Sequence, residues 1–147
     1  NEKMMSEIRL CRTPEELRLY NLVIVKNYVN NGKIFGIMHL QVKYFQKSSN
    51  YDKYVKLIQK KLKESLEISK ANAGISRTFV LLDLSNITQK NFSKKFIKII
   101  AKELNKSNEE TLLLCYVTGN IKLLKMFWPI IKMVMEKETR EKLVLLQ

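Results

Sequence analysis

Residues 114–146 read LCYVTGNIKLLKMFWPIIKMVMEKETREKLVLL, and their pattern decides the fold. The run at 112–117 is short and apolar throughout, as expected of a strand buried on both faces. In 121–136 the polar positions are Lys122, Lys125, Lys132 and Glu136, with Pro129 between the second and third. Their spacings alternate between three and four, so they form one narrow stripe on a helix, and every other position is apolar. A surface helix keeps roughly a third of its circumference apolar, whereas this one has apolar residues on two sides and can turn only one of them to a sheet. The second side needs a partner: another part of the protein, which would make it a helix buried all round, or a membrane, or a bound apolar ligand. Met126, Met133 and Met135 supply flexible, polarizable surface suited to a changing partner. Pro129 lacks an amide hydrogen and crowds the preceding turn, so a kink is predicted near Lys125. Residues 142–146 then close the chain as a strand.

Upstream, 78–82 is another unbroken apolar run, closed by Asp83, and a helix from about Ser93 turns Phe96, Ile97, Ile100 and Leu104 inward. Strand, helix, strand, helix, strand is the order that builds a largely parallel sheet, because parallel neighbours need crossover connections. Earlier still, Tyr51, Tyr54, Val55, Ile58, Leu62, Ser65, Leu66 and Ser69 recur at helical spacing, with lysines mostly outside that face and Gly74 ending the helix. The runs 22–25 and 33–38 flank Asn30-Asn31-Gly32 and predict a β-hairpin. Thr13-Pro14-Glu15-Glu16 reads as an N-cap, a first-turn proline and first-turn acids, for a short helix to about Tyr20. The expected fold class is α/β: a mostly parallel sheet with an N-terminal β-hairpin at its edge, flanked by helices. The expected division is an N-terminal helical remnant at 1–20 and one lobe at 21–147.

A chain of 147 residues fits one core, and 4 Gly and 2 Pro leave little room for linkers. The 27 Lys and Arg exceed the 14 Asp and Glu by 13, so the field attracts phosphate-bearing partners. Lysine dominates that balance, and lysine makes diffuse potential where arginine makes bidentate recognition. No stacking motif, zinc ligand set or helix-turn-helix accompanies the charge, so nucleic acid is not the expected partner. Two cysteines, Cys11 and Cys115, are too few for a disulfide framework and point to a reducing setting. Residues 1–10 lack the apolar core of a signal peptide, and no apolar run approaches the roughly 18 residues of a membrane span. A cytoplasmic setting with peripheral membrane association is expected.

Residues 114–146 resemble the CRAL-TRIO family of lipid-exchange proteins, which includes phosphatidylinositol transfer proteins. In that family an apolar strand ends in an Asn-Ala-Pro-like turn, a hydrophobic gating helix follows, and a Thr and a Lys open the next strand. The counterparts here are Thr118-Gly119-Asn120, the helix at 121–136, and Thr139 with Lys142. Residues 79–87, FVLLDLSNI, are similar to the family's strand ending in Asp-Leu-x-Gly, and Asn31-Gly32-Lys33-Ile34-Phe35 to its Asp-Gly-Arg-Pro-Val hairpin. The resemblance runs from about Leu22 to Leu146 and is that of a divergent or truncated member: the late proline of the gating helix is Met133, with Pro129 instead, and the Leu-Pro and Gly-Gly ending is absent.

The resemblance implies one gating helix covering a lipid pocket, with phospholipid or another apolar ligand and an anionic membrane surface as partners. It implies acyl-chain walls and a lid at Leu82, Tyr116, Phe127, Trp128, Ile131 and Met135, and headgroup contacts at Thr139, Lys142 and Glu109. The last belongs to Asn108-Glu109-Glu110, where phosphatidylinositol-handling members carry Pro-Glu-Arg, so the arginine's cation is missing here. Taken without the family, Lys142 is a solvated charge and Thr139 a cap or turn residue. Catalysis is not expected: His39 is the one histidine, Cys115 has no evident base, and no phosphate-binding glycine loop occurs. Neither cofactor nor metal is implied, and oligomeric state is left open. The alternatives are a protein-interaction scaffold of the same fold and a basic nucleic-acid-binding domain.

Overall fold

The computed structural model describes residues 13–47, 50–107 and 111–146, together with Lys3 and Leu10. The first helix, α1 (Pro14–Leu22), starts where its cap predicts: the Thr13 hydroxyl accepts the Glu16 amide at 3.1 Å. It runs directly into β1 (Val23–Asn30), which pairs antiparallel with β2 (Lys33–Gln41). Between them Asn31 and Gly32 both have positive φ, 51° and 75°, the conformation of a two-residue turn whose twist matches the strands. A 3-10 turn (Val42–Tyr44) leads to α2 (Asp52–Ala73), closed by Gly74 at φ 71°, whose N–H reaches the Lys70 carbonyl. The remaining elements are β3 (Thr78–Leu84), α3 (Lys94–Ser107), β4 (Leu112–Gly119), α4 (Ile121–Met126), α5 (Trp128–Val134), α6 (Lys137–Arg140) and β5 (Leu143–Leu145).

The strands lie in chain order, β1-β2-β3-β4-β5, with every pair after the hairpin parallel. This is the α/β class that the alternation of apolar runs predicts, hairpin edge included. Register sorts the two faces. Met38 pairs with Val80 and Val80 with Cys115, while Leu40 pairs with Leu82 and Leu82 with Val117; all six are buried. That face carries the helices. The alternate residues Ile37, His39, Leu81, Tyr116 and Val144 point to the other face and are only half-buried.

Helix α2 approaches the sheet closely because the contact is made of small residues. The Gly36 amide donates to the Ser69 hydroxyl at 2.8 Å, the Thr78 hydroxyl donates to the Gly36 carbonyl at 3.1 Å, and the Ser65 hydroxyl lies 2.6 Å from that of Thr78. The serines that interrupt the apolar face of α2 in sequence are thus buried and satisfied. Helix α1 is tied to the same layer: Arg18 donates to the Tyr44 carbonyl and lies over the Tyr54 ring, and Leu22 enters the core.

Candidate functional site

The candidate site is the layer that α4 and α5 place over β3, β4 and α3. Its start is fixed by two neighbouring residues. Gly119 has φ 96°, and a Cβ there would stand 2.4 Å from the Ser85 nitrogen, so only glycine lets the β4 turn press against the end of β3. Asn120 then accepts the Leu123 amide on its side chain at 3.2 Å and donates its own amide to the Leu84 carbonyl at 3.2 Å. The helical run expected at 121–136 is broken in two. Phe127 stands between the segments, its N–H shared among the carbonyls of Leu123, Leu124 and Lys125, and Pro129 opens the second as a first-turn proline. The bend falls where the Lys125–Pro129 stretch predicts it.

Both apolar sides of this segment are real. Inward, Leu123, Leu124, Ile131 and Met135 are buried. Outward, Met126 is 58% exposed, Trp128 37% and Met133 84%, with Lys122, Lys125 and Lys132 exposed around them. Beneath the inward side, Leu82, Phe96, Ile100, Val117 and Leu143 complete a wall with almost no polar surface. The space they leave is about 20 Å³. That is room for about one water molecule, where an acyl chain needs several hundred cubic ångströms. Larger openings are surface grooves with charged walls, such as one of about 360 Å³ by Tyr20, Lys61 and Glu64.

Of the residues that the family resemblance singles out, Leu82, Ile131 and Met135 meet in the apolar wall. Phe127 is half-buried at the bend, edge to face with Phe92 at 5.4 Å. Trp128 sits on the outer side of α5. Tyr116 is separated from the group: it follows Cys115 on β4, so it points to the opposite face, where it stacks on Phe79 at 6.0 Å and its hydroxyl lies 3.4 Å from that of Tyr28. That hydrogen bond, with burial, pushes the Tyr116 phenol up to about 12. Thr139 is fully buried, and its hydroxyl has no partner among the described residues. Lys142 turns its ammonium to the Leu112 carbonyl at 2.8 Å. Glu109 lies outside the described residues.

One cluster escapes the sequence reading. On the half-buried sheet face, His39 Nε2 lies 3.0 Å from Asp83 Oδ2, and Lys26 Nζ lies 3.5 Å from His39 Nδ1. Burial works to raise the Asp83 carboxyl, but the hydroxyl and amide of Ser85 and then His39 outweigh it and hold it below the ordinary carboxylate range. Cys115, on the covered face, is driven the other way: complete burial pushes its thiol up to about 12. The folded protein should therefore resist iodoacetamide at Cys115 at pH 8 by about a thousandfold relative to a free thiol, with full labelling after denaturation. Peptide mapping of the alkylated chain checks this.

The described helices that pack on the sheet lie on one face, and a two-part apolar cover closes directly on an apolar wall there. The chain belongs to the CRAL/TRIO domain family, which matches residues 20–147. The family is in general one of lipid-binding and transfer modules. No curated protein matches the chain. Among the described residues, no helix is long and apolar enough to cross a membrane.

Proposed function

We propose that this chain binds the apolar part of a phospholipid or similar ligand between the sheet and the α4–α5 lid, and exchanges it at anionic membrane surfaces without catalysing a reaction. The observation that carries this reading is the two-sided lid. Its inner residues close on an apolar wall, and its outer residues Met126, Trp128 and Met133 leave apolar surface without a packing partner among the described residues, apart from the Gln89 amide at the Met126 sulfur. A bilayer supplies that partner, and it supplies the ligand as well. The space beneath the lid is about 20 Å³, so in this reading an entering chain has to displace Ile131 and Met135. Exposed lysines on the same helix layer, among them Lys98, Lys102, Lys122, Lys125 and Lys132, would each add about 1 kcal/mol at an anionic surface.

At the headgroup end, the buried Thr139 hydroxyl is a polar atom with unmet hydrogen-bonding capacity, which a headgroup oxygen could satisfy. Lys142 would have to release the Leu112 carbonyl to join it. Glu110 in the place of the family's arginine removes a cation, which weighs against an inositol phosphate headgroup. Native mass spectrometry of the purified chain, with uptake of a fluorescent phospholipid from vesicles, tests the reading. Bound lipid and saturable uptake are expected; no lipid by either method overturns it.

The filled interior favours a second reading, a protein-interaction domain that keeps the fold and has lost the cavity. The same uptake experiment separates the two. Pro129→Ala probes the lid itself. It restores the amide that could bond the Lys125 carbonyl and join α4 to α5, so exchange should slow by about fivefold while lipid affinity changes by less than about twofold. Stopped-flow transfer set against equilibrium binding measures the split, and equal losses in both would mean that the bend has no part in exchange.

A further inference from the structure

The two ends of the lid are held in different ways. At the α4 end the attachment is backbone: Gly119 is wedged against Leu84 and Ser85, and the Asn120 amide bonds the Leu84 carbonyl. Release there would require the β3 and β4 turns to part. At the far end of α5 the attachment is by side chains: Met135 is buried, Arg140 donates to the Lys132 carbonyl at 3.5 Å, and one residue of another helix ties the exit itself. Asn105, in the last turns of α3, donates from Nδ2 to the Val134 carbonyl at 3.0 Å and accepts the Glu136 amide on Oδ1 at 3.0 Å. A helix end leaves its last carbonyls without intrahelical partners, and here one carboxamide satisfies the carbonyl and the amide on either side of the exit.

We propose that Asn105 is the latch that holds α5 shut, and that α5 swings about Phe127 when the latch releases. The inference rests on the reading of α4–α5 as a lid. Geometry selects which half moves. The α4–α5 junction is already discontinuous at Phe127 and Pro129, and the ring contact of Phe127 with Phe92 keeps the pivot seated. Swinging α5 lifts Ile131 and Met135 from the wall and uncovers Phe96, Ile100 and Leu104 on α3. Only a carboxamide fits the latch: alanine loses both bonds, and aspartate keeps the acceptor but sets a carboxylate against the Val134 carbonyl. Asn105 is a positioning residue in this scheme, with no contact to the ligand required.

The test compares amide hydrogen exchange in the wild-type chain, Asn105→Ala and Asn105→Asp, alongside transfer of fluorescent phosphatidylcholine between vesicles of phosphatidylcholine and phosphatidylserine. In both variants the amides of 130–135 should exchange about tenfold faster, with those of α2 and β3 unchanged, and transfer should quicken by about fivefold. Unchanged exchange over 130–135, or the same acceleration in α2 and β3 as in α5, overturns the latch. If exchange rises in α5 alone and transfer stays at the wild-type rate, the latch stands and the lid reading falls.

Discussion

Gly36→Val should lower stability by more than about 3 kcal/mol, and Gly36→Ala by somewhat less. Even the single carbon that alanine adds would stand 2.1 Å from the Ser65 carbonyl oxygen and 2.7 Å from its carbon, both backbone atoms of α2. A flexible side chain could turn aside, but a helix backbone must move as a body. Moving it pulls Ser69 from the Gly36 amide and Ser65 from Thr78, so the overpacking cost, ordinarily about 1–3 kcal/mol, is joined by that of stranded polar groups. For a domain of this size each kcal/mol shifts Tm by roughly 3 °C, so valine should lower it by about 10 °C or more. Urea titration and thermal melts measure both. A valine variant within about 1 kcal/mol of wild type would mean that α2 does not sit against the sheet at this point. Ser69→Ala isolates one part: it leaves the Gly36 amide without its partner and should cost about 1–3 kcal/mol.

That contact shows where sequence pattern suffices and where it stops. The apolar runs at 78–82 and 112–117, and the helical spacing between them, carry enough periodicity to give element types and a parallel sheet, because burial on both faces leaves little choice of residue. The helix ends and the hairpin turn are legible for a local reason: Thr13-Pro14, Gly74 and Asn31-Gly32 act through their own backbone conformations. What stays hidden depends on register. Leu82 and Tyr116 are both apolar residues in apolar strands, and only the pairing of Leu82 with Val117 puts Tyr116 on the opposite face. The Lys26–His39–Asp83 cluster joins three strands, so no spacing along the chain announces it. Nor could pattern alone choose between a buried helix and a lid at 121–136. The structure gives this segment a buried inner side and an exposed outer one, with Asn105 as a contact that only tertiary proximity reveals.

The open outer face leads to the second large effect. Trp128→Ala combined with Met133→Asp should weaken binding to anionic vesicles by about a hundredfold and slow lipid transfer comparably, while lowering stability by no more than about 2 kcal/mol. Met133 is 84% exposed, so changing it rarely moves stability, whereas Trp128 at 37% keeps much of its ring against the protein and accounts for the loss. In a bilayer the balance reverses: burying a large apolar side chain contributes about 1.5–3 kcal/mol, and an aspartate in its place adds a repulsive charge beside anionic lipid. Replacing Lys122, Lys125 and Lys132 by glutamine should give a different signature, because their contribution is screened within a Debye length. Binding of that triple variant should be weak at low salt and should change little as salt is added, whereas the Trp128 and Met133 variant should keep the wild-type salt dependence at a lower affinity. Vesicle co-sedimentation across a salt series distinguishes the two. Wild-type binding and transfer by the Trp128 and Met133 variant would show that the outer side of α5 meets no membrane, and its apolar residues would then call for a protein partner.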